Sequence, residues 1–303
     1  MRQQVVLWLA LLAAGPATAE WNYSTVAGAG GVPLNVVTVG VPDQPAILFV
    51  HGIGQSHYSF RHQLDSTLAD EFFLVAFDLR GHGGSGKPWA PEDYDRAEIW
   101  ARDVAAVIDA MGIRRPIMVA WSYGTLVAMD FIREHGDEEL AGLVLTGAVG
   151  ALRPWRMPPP DDPVMRDFER KRKLQISPNP VDNVKATDMV DWLTEAPLPE
   201  ADRKLFQAIG LMFPAYARRA MVDRRFDNQD LLDRLRLPTL LALGDKDNAF
   251  LLEDANHMVK KHDNMSLSVY DSAGHSVFYE QPRRFNEELR RFAARVIATT
   301  ESP

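Results

Sequence analysis

The chain has 303 residues, a hydrophobic fraction of 46%, a charged fraction of 24% and no cysteine. These proportions are those of a globular protein, and the length suits one large domain or one domain carrying an insertion. A net charge of −8 gives no reason to expect nucleic acid as a partner, and the absence of cysteine excludes disulfides and thiolate metal sites.

Residues 1–19 have the parts of a secretory signal peptide. Arg2 supplies a positive start, residues 5–14 form an apolar core, Gly15-Pro16 breaks it, and Ala17-Thr18-Ala19 is a small-x-small cleavage pattern before Glu20. The apolar core is shorter than the about 20 residues that span a bilayer. The expectation is export to the periplasm or beyond without a stable membrane anchor; retention as an uncleaved anchor is the alternative. No cysteine follows the core, so a lipid-anchored lipoprotein is excluded.

Residues 23–41 alternate loosely around Gly28-Ala29-Gly30-Gly31 and read as two antiparallel edge strands joined by a glycine turn. Six short runs follow, at 45–50, 72–77, 117–120, 143–146, 240–243 and 265–270. Each reads as a continuous apolar run, the mark of a strand buried on both faces. Helical periodicity appears at 99–111, 126–134 and 285–297. Strands alternating with helices predict an α/β fold with a mostly parallel sheet. Residues 150–237 break the alternation. After a proline-rich entry (Pro154, Pro158-Pro159-Pro160), helix-like pieces occur near 164–174, 185–192, 202–212 and 216–222. The expected division is a core of 20–149 and 238–303 with a helical cap inserted at 150–237, lying over the carboxyl edge of the sheet.

In parallel sheets ligands bind beyond the carboxyl ends of the strands. His51, Asp78, Ser122 and Asp247 all fall at or just after such ends. The most informative is Ala120-Trp121-Ser122-Tyr123-Gly124, where an apolar run stops at a serine and a helix-compatible run follows. A sharp strand-to-helix turn lifts such an Oγ out of the fold, and helix N-terminal N–H groups beside it favour negative charge. A serine hydroxyl is a weak nucleophile and needs a base, which in turn needs an orienting group.

If the chain order is serine, acid, histidine, both partners come late. Gly244-Asp245-Lys246-Asp247 closes the run at 240–243 with two carboxylates. Asp247 is the stronger candidate because it sits inside the turn; Asp245, still at the strand end, is the alternative. His275 follows the last strand and a glycine-containing loop. Of the other histidines, His51 reads as shaping a loop; His57, His62 and His82 precede the nucleophile in loops or helix starts; His135, His257 and His262 lie in polar helical contexts. An oxyanion needs two N–H donors. The backbone of Tyr123 is one candidate, and that of Ile53, in glycine-rich His51-Gly52-Ile53-Gly54, the other. No metal-ligand spacing occurs. Residues 81–86 match Gly-x-Gly-x-x-Gly, but Lys87-Pro88 prevents the helix a dinucleotide site requires. No metal or cofactor is expected.

Together, His51-Gly52-Ile53-Gly54, Asp78-Leu79-Arg80-Gly81-His82-Gly83-Gly84-Ser85, Trp121-Ser122-Tyr123-Gly124, Gly244-Asp245-Lys246-Asp247 and Gly274-His275 resemble the α/β-hydrolase superfamily over nearly all of residues 22–298. Within it the chain looks like the serine-nucleophile branch, near small esterases related to cofactor-free haloperoxidases. The resemblance implies an eight-stranded, mostly parallel sheet flanked by helices, with the cap inserted after strand 6. It puts Ser122, Asp247 and His275 on the triad positions, Ile53 and Tyr123 on the oxyanion positions, and the Asp78–Ser85 stretch in a structural role. Ala120 departs from the usual first glycine of the serine motif. Ser122 argues against haloalkane dehalogenases and epoxide hydrolases, which carry aspartate there.

The function expected is hydrolysis of a small-to-medium carboxylic ester or lactone through an acyl-enzyme on Ser122. A proline iminopeptidase-like peptidase or a carbon–carbon bond hydrolase is the enzymatic alternative, and a ligand-binding protein of the same fold the non-enzymatic one. Trp121, Phe250, Val277 and Phe278 are expected substrate contacts, with Trp155, Trp192, Phe206, Met212 and Phe213 as further candidates from the cap.

Overall fold

The computed structural model describes residues 20–156, 158–222, 224 and 226–301; the expected signal peptide, residues 1–19, lies outside the described residues. The strands are β1 (Asn22–Ala27), β2 (Pro33–Val39), β3 (Ala46–Val50), β4 (Phe73–Phe77), β5 (Ile117–Trp121), β6 (Gly142–Thr146), β7 (Thr239–Gly244) and β8 (Met265–Tyr270). They form one eight-stranded sheet in the order β1-β2-β4-β3-β5-β6-β7-β8. β2 runs antiparallel to both neighbours, β1 and β4, and every pairing from β4 to β8 is parallel.

The helices are α1 (Arg61–Leu64), α2 (Ala97–Ala110), α3 (Tyr123–His135), α4 (Pro163–Gln175), α5 (Pro180–Lys185), α6 (Glu200–Leu211), α7 (Ala215–Val222), α8 (Gln229–Leu232), α9 (Ala249–Lys261), α10 (Val277–Glu280) and α11 (Pro282–Glu301). Successive strand side chains point to opposite faces, so each apolar run feeds two cores. From β5, Met118 and Ala120 join the core under α2, α3 and α9. Ile117, Val119 and Trp121 join the core under α11. This is why β3, β4, β5 and β6 are buried at every residue.

β8 departs from the expectation of a strand buried on both faces. Only its terminal residues Met265 and Tyr270 are buried, because it is the last strand of the sheet and Ser266 and Ser268 alternate with its apolar residues. Between β6 and β7 the chain makes α4 to α8. Val190, Leu198, Phe206 and Ile209 form a separate small core there, while Phe213, Ala217 and Met221 join the main one. The expected piece at 185–192 splits into the end of α5 and a 3-10 turn at Thr187–Trp192. Among the described residues no helix is long and apolar enough to cross a membrane.

Candidate active site

Ser122 connects β5 to α3 with φ 52° and ψ −119°, a left-handed conformation that non-glycine residues rarely adopt. Three bonds hold it there. Its N–H donates to Thr146 O at 2.9 Å. Its carbonyl accepts from the Thr125 N–H at 3.0 Å and from Thr125 Oγ1 at 2.7 Å. Gly124 must be glycine because a Cβ there would stand 2.3 Å from Val50 O and 2.7 Å from His51 O. Ala120, where the motif has its first glycine, is fully buried in the sheet core, so its methyl group is accommodated by packing.

The loop after β3 passes against the turn: a Cβ on Gly52 would meet Ser122 Cβ at 2.9 Å. Ile53 follows at the rim, 39% exposed. The Tyr123 side chain turns into the core, its ring 5.7 Å from Trp100 and 5.5 Å from Phe226, so Tyr123 faces the site with its backbone. Its N–H opens α3, where helical N–H groups have no intrahelical partner.

Asp247 follows β7 and His275 follows β8. His275 Nδ1 lies 2.9 Å from Asp247 Oδ2, and Asp247 Oδ1 accepts the Asn248 N–H at 2.8 Å. Burial works against the charged form of His275, but the Asp247 carboxylate, with a smaller contribution from Glu280, holds its pKa above the ordinary histidine value. Burial likewise pushes the Asp247 pKa up; His275 and the Asn248 N–H outweigh it and leave it below the ordinary value. Asp245 turns elsewhere, pairing with Lys246 Nζ at 2.9 Å and accepting the Ala273 N–H at 3.4 Å. Of the two carboxylates, only Asp247 meets His275.

The histidine loop is fixed on three sides. Trp121 Nε1 donates to His275 O at 2.9 Å. Gly147, at φ 65°, runs beneath, where a Cβ would meet His275 O at 2.8 Å. Glu280 accepts the N–H groups of Gly274 and Glu195, both at 2.8 Å, tying the loop to the segment before α6. Neither Glu280 nor Gly147 had a local sequence signal; each acts through a contact formed only on folding. His51 braces the neighbouring loop. Its Nε2 accepts the Leu79 N–H at 3.0 Å and its Nδ1 lies 2.7 Å from Gly52 O, and burial lowers its pKa to about 4.

The expected substrate contacts separate. Trp121 and Phe278 line a small cavity, together with Ser59, Ser276, Leu198 and Phe206. Val277 and Phe250 do not. Val277 is fully buried in the core under α11. Phe250, in the first turn of α9, packs beneath the Arg156 guanidinium at 4.9 Å. Among the cap candidates Phe206 reaches the cavity. Phe213 instead stacks on His82 at 3.9 Å and Trp192 on Phe168 at 5.7 Å, while Trp155 and Met212 stay exposed.

A sequence model described as the alpha/beta hydrolase family matches residues 47–288, which takes in the strained serine turn, the Asp247–His275 pair and the loop after β3. The chain belongs to the alpha/beta hydrolase family. The AB hydrolase superfamily protein YisY of Bacillus subtilis is 25% identical over 249 residues, 82% of this chain and 91% of its own. Epoxide hydrolase 1 of Caenorhabditis elegans is 26% identical over 286 residues, 86% of this chain and 68% of its own. The solved structure of esterase RhEst1 from Rhodococcus sp. ECU1013 superposes with a TM-score of 0.76 at 26% identity, covering 90% of this chain and 98% of that one. This family member is, like these relatives, a hydrolase.

Proposed function

We propose that this hydrolase cleaves small-to-medium carboxylic esters or lactones through an acyl-enzyme on Ser122. The observation that carries the reading is the strained Ser122 turn on the same sheet edge as the Asp247–His275 pair. His275, oriented and made more basic by Asp247, takes the Ser122 hydroxyl proton as Oγ attacks the substrate carbonyl carbon. The Ile53 and Tyr123 N–H groups receive the oxyanion; losing one such donor typically costs about 10²–10³ in rate. The intermediate collapses, the C–O bond to the alcohol breaks, and His275 returns its proton to the leaving oxygen. His275 then deprotonates a water that attacks the acyl carbon, releasing the acid and restoring Ser122.

An epoxide suits this site poorly. Attack by a serine hydroxyl on an epoxide carbon would leave an ether on Ser122, with no carbonyl for a second attack. An ester or lactone leaves an acyl group that water can remove. In this reading residues 150–237 act as a cap over the site, and residues 1–19 direct export, giving a mature chain that starts at Glu20.

A fluorophosphonate probe tests the nucleophile. Labelling of the native protein that is abolished in Ser122→Ala is expected, with ester turnover falling by about 10⁴–10⁶. A native protein that is neither labelled nor active on any member of an ester and lactone panel would remove the reading.

A further inference from the structure

A buried ion pair stands behind the residue that follows Ser122. Arg224 Nη2 donates to Asp130 Oδ1, and the side chains of both are 4% exposed. The guanidinium lies over the Phe226 ring at 4.7 Å, and Phe226 in turn meets the Tyr123 ring at 5.5 Å. Tyr123 and Asp130 are about two turns apart on α3 and so share one face of it. Arg224 reaches that face from late in the segment between β6 and β7. The Tyr123 hydroxyl makes no hydrogen bond of normal geometry but lies in the field of the pair. Burial raises its pKa above the ordinary tyrosine value, while Arg224 acts to lower it and Asp130 to raise it. Desolvation offsets much of the attraction in a buried ion pair, so stability alone is a weak reason for one here.

The Ser122 turn needs support from its helix side. Its strained conformation, at φ 52°, persists only where the surroundings over-determine it. The Tyr123 N–H has no intrahelical partner, so its direction follows the placement of Tyr123 itself. Trp100 and Phe226 wall the Tyr123 ring at 5.7 and 5.5 Å, both at steep angles. These walls limit tilting of the ring; the charges at its hydroxyl end fix how far it reaches. The start of the same segment bears on α3 too. Thr125 Oγ1, which donates to Ser122 O, accepts the Gly150 N–H at 3.2 Å. Asn228 Nδ2 donates to Gly150 O at 2.8 Å and its Oδ1 accepts from Arg133 of α3 at 3.0 Å. Both ends of the segment between β6 and β7 are thus fastened to the helix that opens at the proposed nucleophile.

We propose that Arg224, oriented by Asp130, is a positioning residue that sets Tyr123 through its hydroxyl and so aims the Tyr123 N–H at the oxyanion. The proposal rests on the ester hydrolase reading above and adds to it a dependence of the oxyanion site on the segment between β6 and β7. Because the N–H is needed once negative charge has formed on oxygen, the pair acts on the intermediate and leaves ground-state binding alone.

The test uses the full chain carrying Arg224→Met, Tyr123→Phe, the two combined, or Asp130→Leu with Arg224→Met. In Arg224→Met the remaining carboxyl can take up a proton, since burial already raises the Asp130 pKa to about 6. In the last variant apolar side chains replace the pair, an exchange that buried ion pairs often tolerate. On the best ester of the panel each variant is expected to lose about tenfold in kcat with KM within about twofold. Affinity for a trifluoromethyl ketone, whose adduct on Ser122 carries an oxyanion, falls by the same factor, and affinity for the product acid stays. Tyr123→Phe with Arg224→Met loses no more than either alone, because one acts through the other. Arg224→Lys, which keeps the charge, recovers most of the rate. Folded variants with native kcat, additive losses in the Tyr123–Arg224 cycle, or equal losses of ketone and acid affinity overturn the positioning role and spare the hydrolase reading. A native protein without labelling or turnover removes the hydrolase reading and the positioning role with it.

Discussion

Two aspartates at strand ends hold a histidine in almost the same geometry. Asp78, just after β4, meets His57 Nδ1 at 2.8 Å; Asp247, just after β7, meets His275 Nδ1 at 2.9 Å. Their surroundings give them opposite work. Asp78 is fully buried and also accepts the His57 N–H at 2.8 Å, Asn35 Nδ2 at 3.0 Å and the Gly84 N–H at 2.7 Å. Burial pushes its pKa up, yet His57, through its ring and its backbone N–H, and His51 hold it well below the ordinary carboxylate value. Its histidine sits edge-on to Trp21 and Tyr23 at 5.9 and 6.0 Å. Asp247 has one donor besides its histidine, and that histidine lies beside Trp121, the residue before Ser122, with ring centroids 5.8 Å apart. A short Asp–His distance therefore identifies a pair and leaves its job open. A carboxylate saturated on every side ties loops together; one left with a single external donor can answer a proton arriving on its histidine.

Substitutions can break this contrast at its strongest point. Asp247→Asn is expected to lower kcat by about 10³–10⁴, since the imidazolium loses its counter-charge and its tautomer control, while Asp245→Asn stays within about threefold; steady-state kinetics on one ester decides, and the reverse order would exchange the two assignments. For the other pair the expected damage is to folding. Asp78→Ala should cost about 3 kcal/mol or more, read from the denaturant midpoint, because four donors lose their acceptor inside the protein. A depressed folded-state pKa also means that the Asp78 contribution to stability is present above its unfolded value and is lost as pH falls through the folded one.

The pH profile sharpens the same comparison. His275 must be neutral to act as base, and Asp247 raises its pKa above the ordinary histidine value, so the acidic limb of kcat/KM is expected above pH ~6.5. In Asp247→Asn the residual activity should have its limb at lower pH; an unmoved limb would separate the titration from the pair. Smaller still is Glu280→Gln, which keeps one acceptor for Gly274 and Glu195 and loses the other. It should reduce kcat by about fivefold with little change in KM, the loss of roughly one hydrogen bond in the histidine loop. Ala120→Gly is expected to leave turnover within about twofold and to cost about 1 kcal/mol of stability, because glycine weakens a strand and removes a buried methyl.

Much of the site was legible because it depends on neighbours in the chain. The turn at Ser122, the placement of Asp247 in its loop and the glycine before His275 are strand-end features, and strand ends can be read from where apolar runs stop. Reading weakened where one run meant two things. The segment of β8 looked like the other strands, and its place at the sheet edge is a property of the sheet. Val277 and Phe278 are adjacent apolar residues after His275 with the same local character, and both join the core under α11, yet only Phe278 also reaches the cavity. The sequence marks α9 only as a polar helical context around His257, because its apolar residues are spread thinly among polar ones; the Asn248 side chain that accepts the Phe250 N–H at 3.0 Å starts it.

The sequence by itself determined the alternation of strands and helices, the eight strands, and the placement of Ser122, Asp247 and His275 just after strand ends, since each is written in a run of residues and the turn that ends it. Only the tertiary structure decided which carboxylate meets His275 and which aromatic residues wall the cavity. Those choices rest on contacts between segments distant in the chain, where packing and burial act and no local pattern records the outcome.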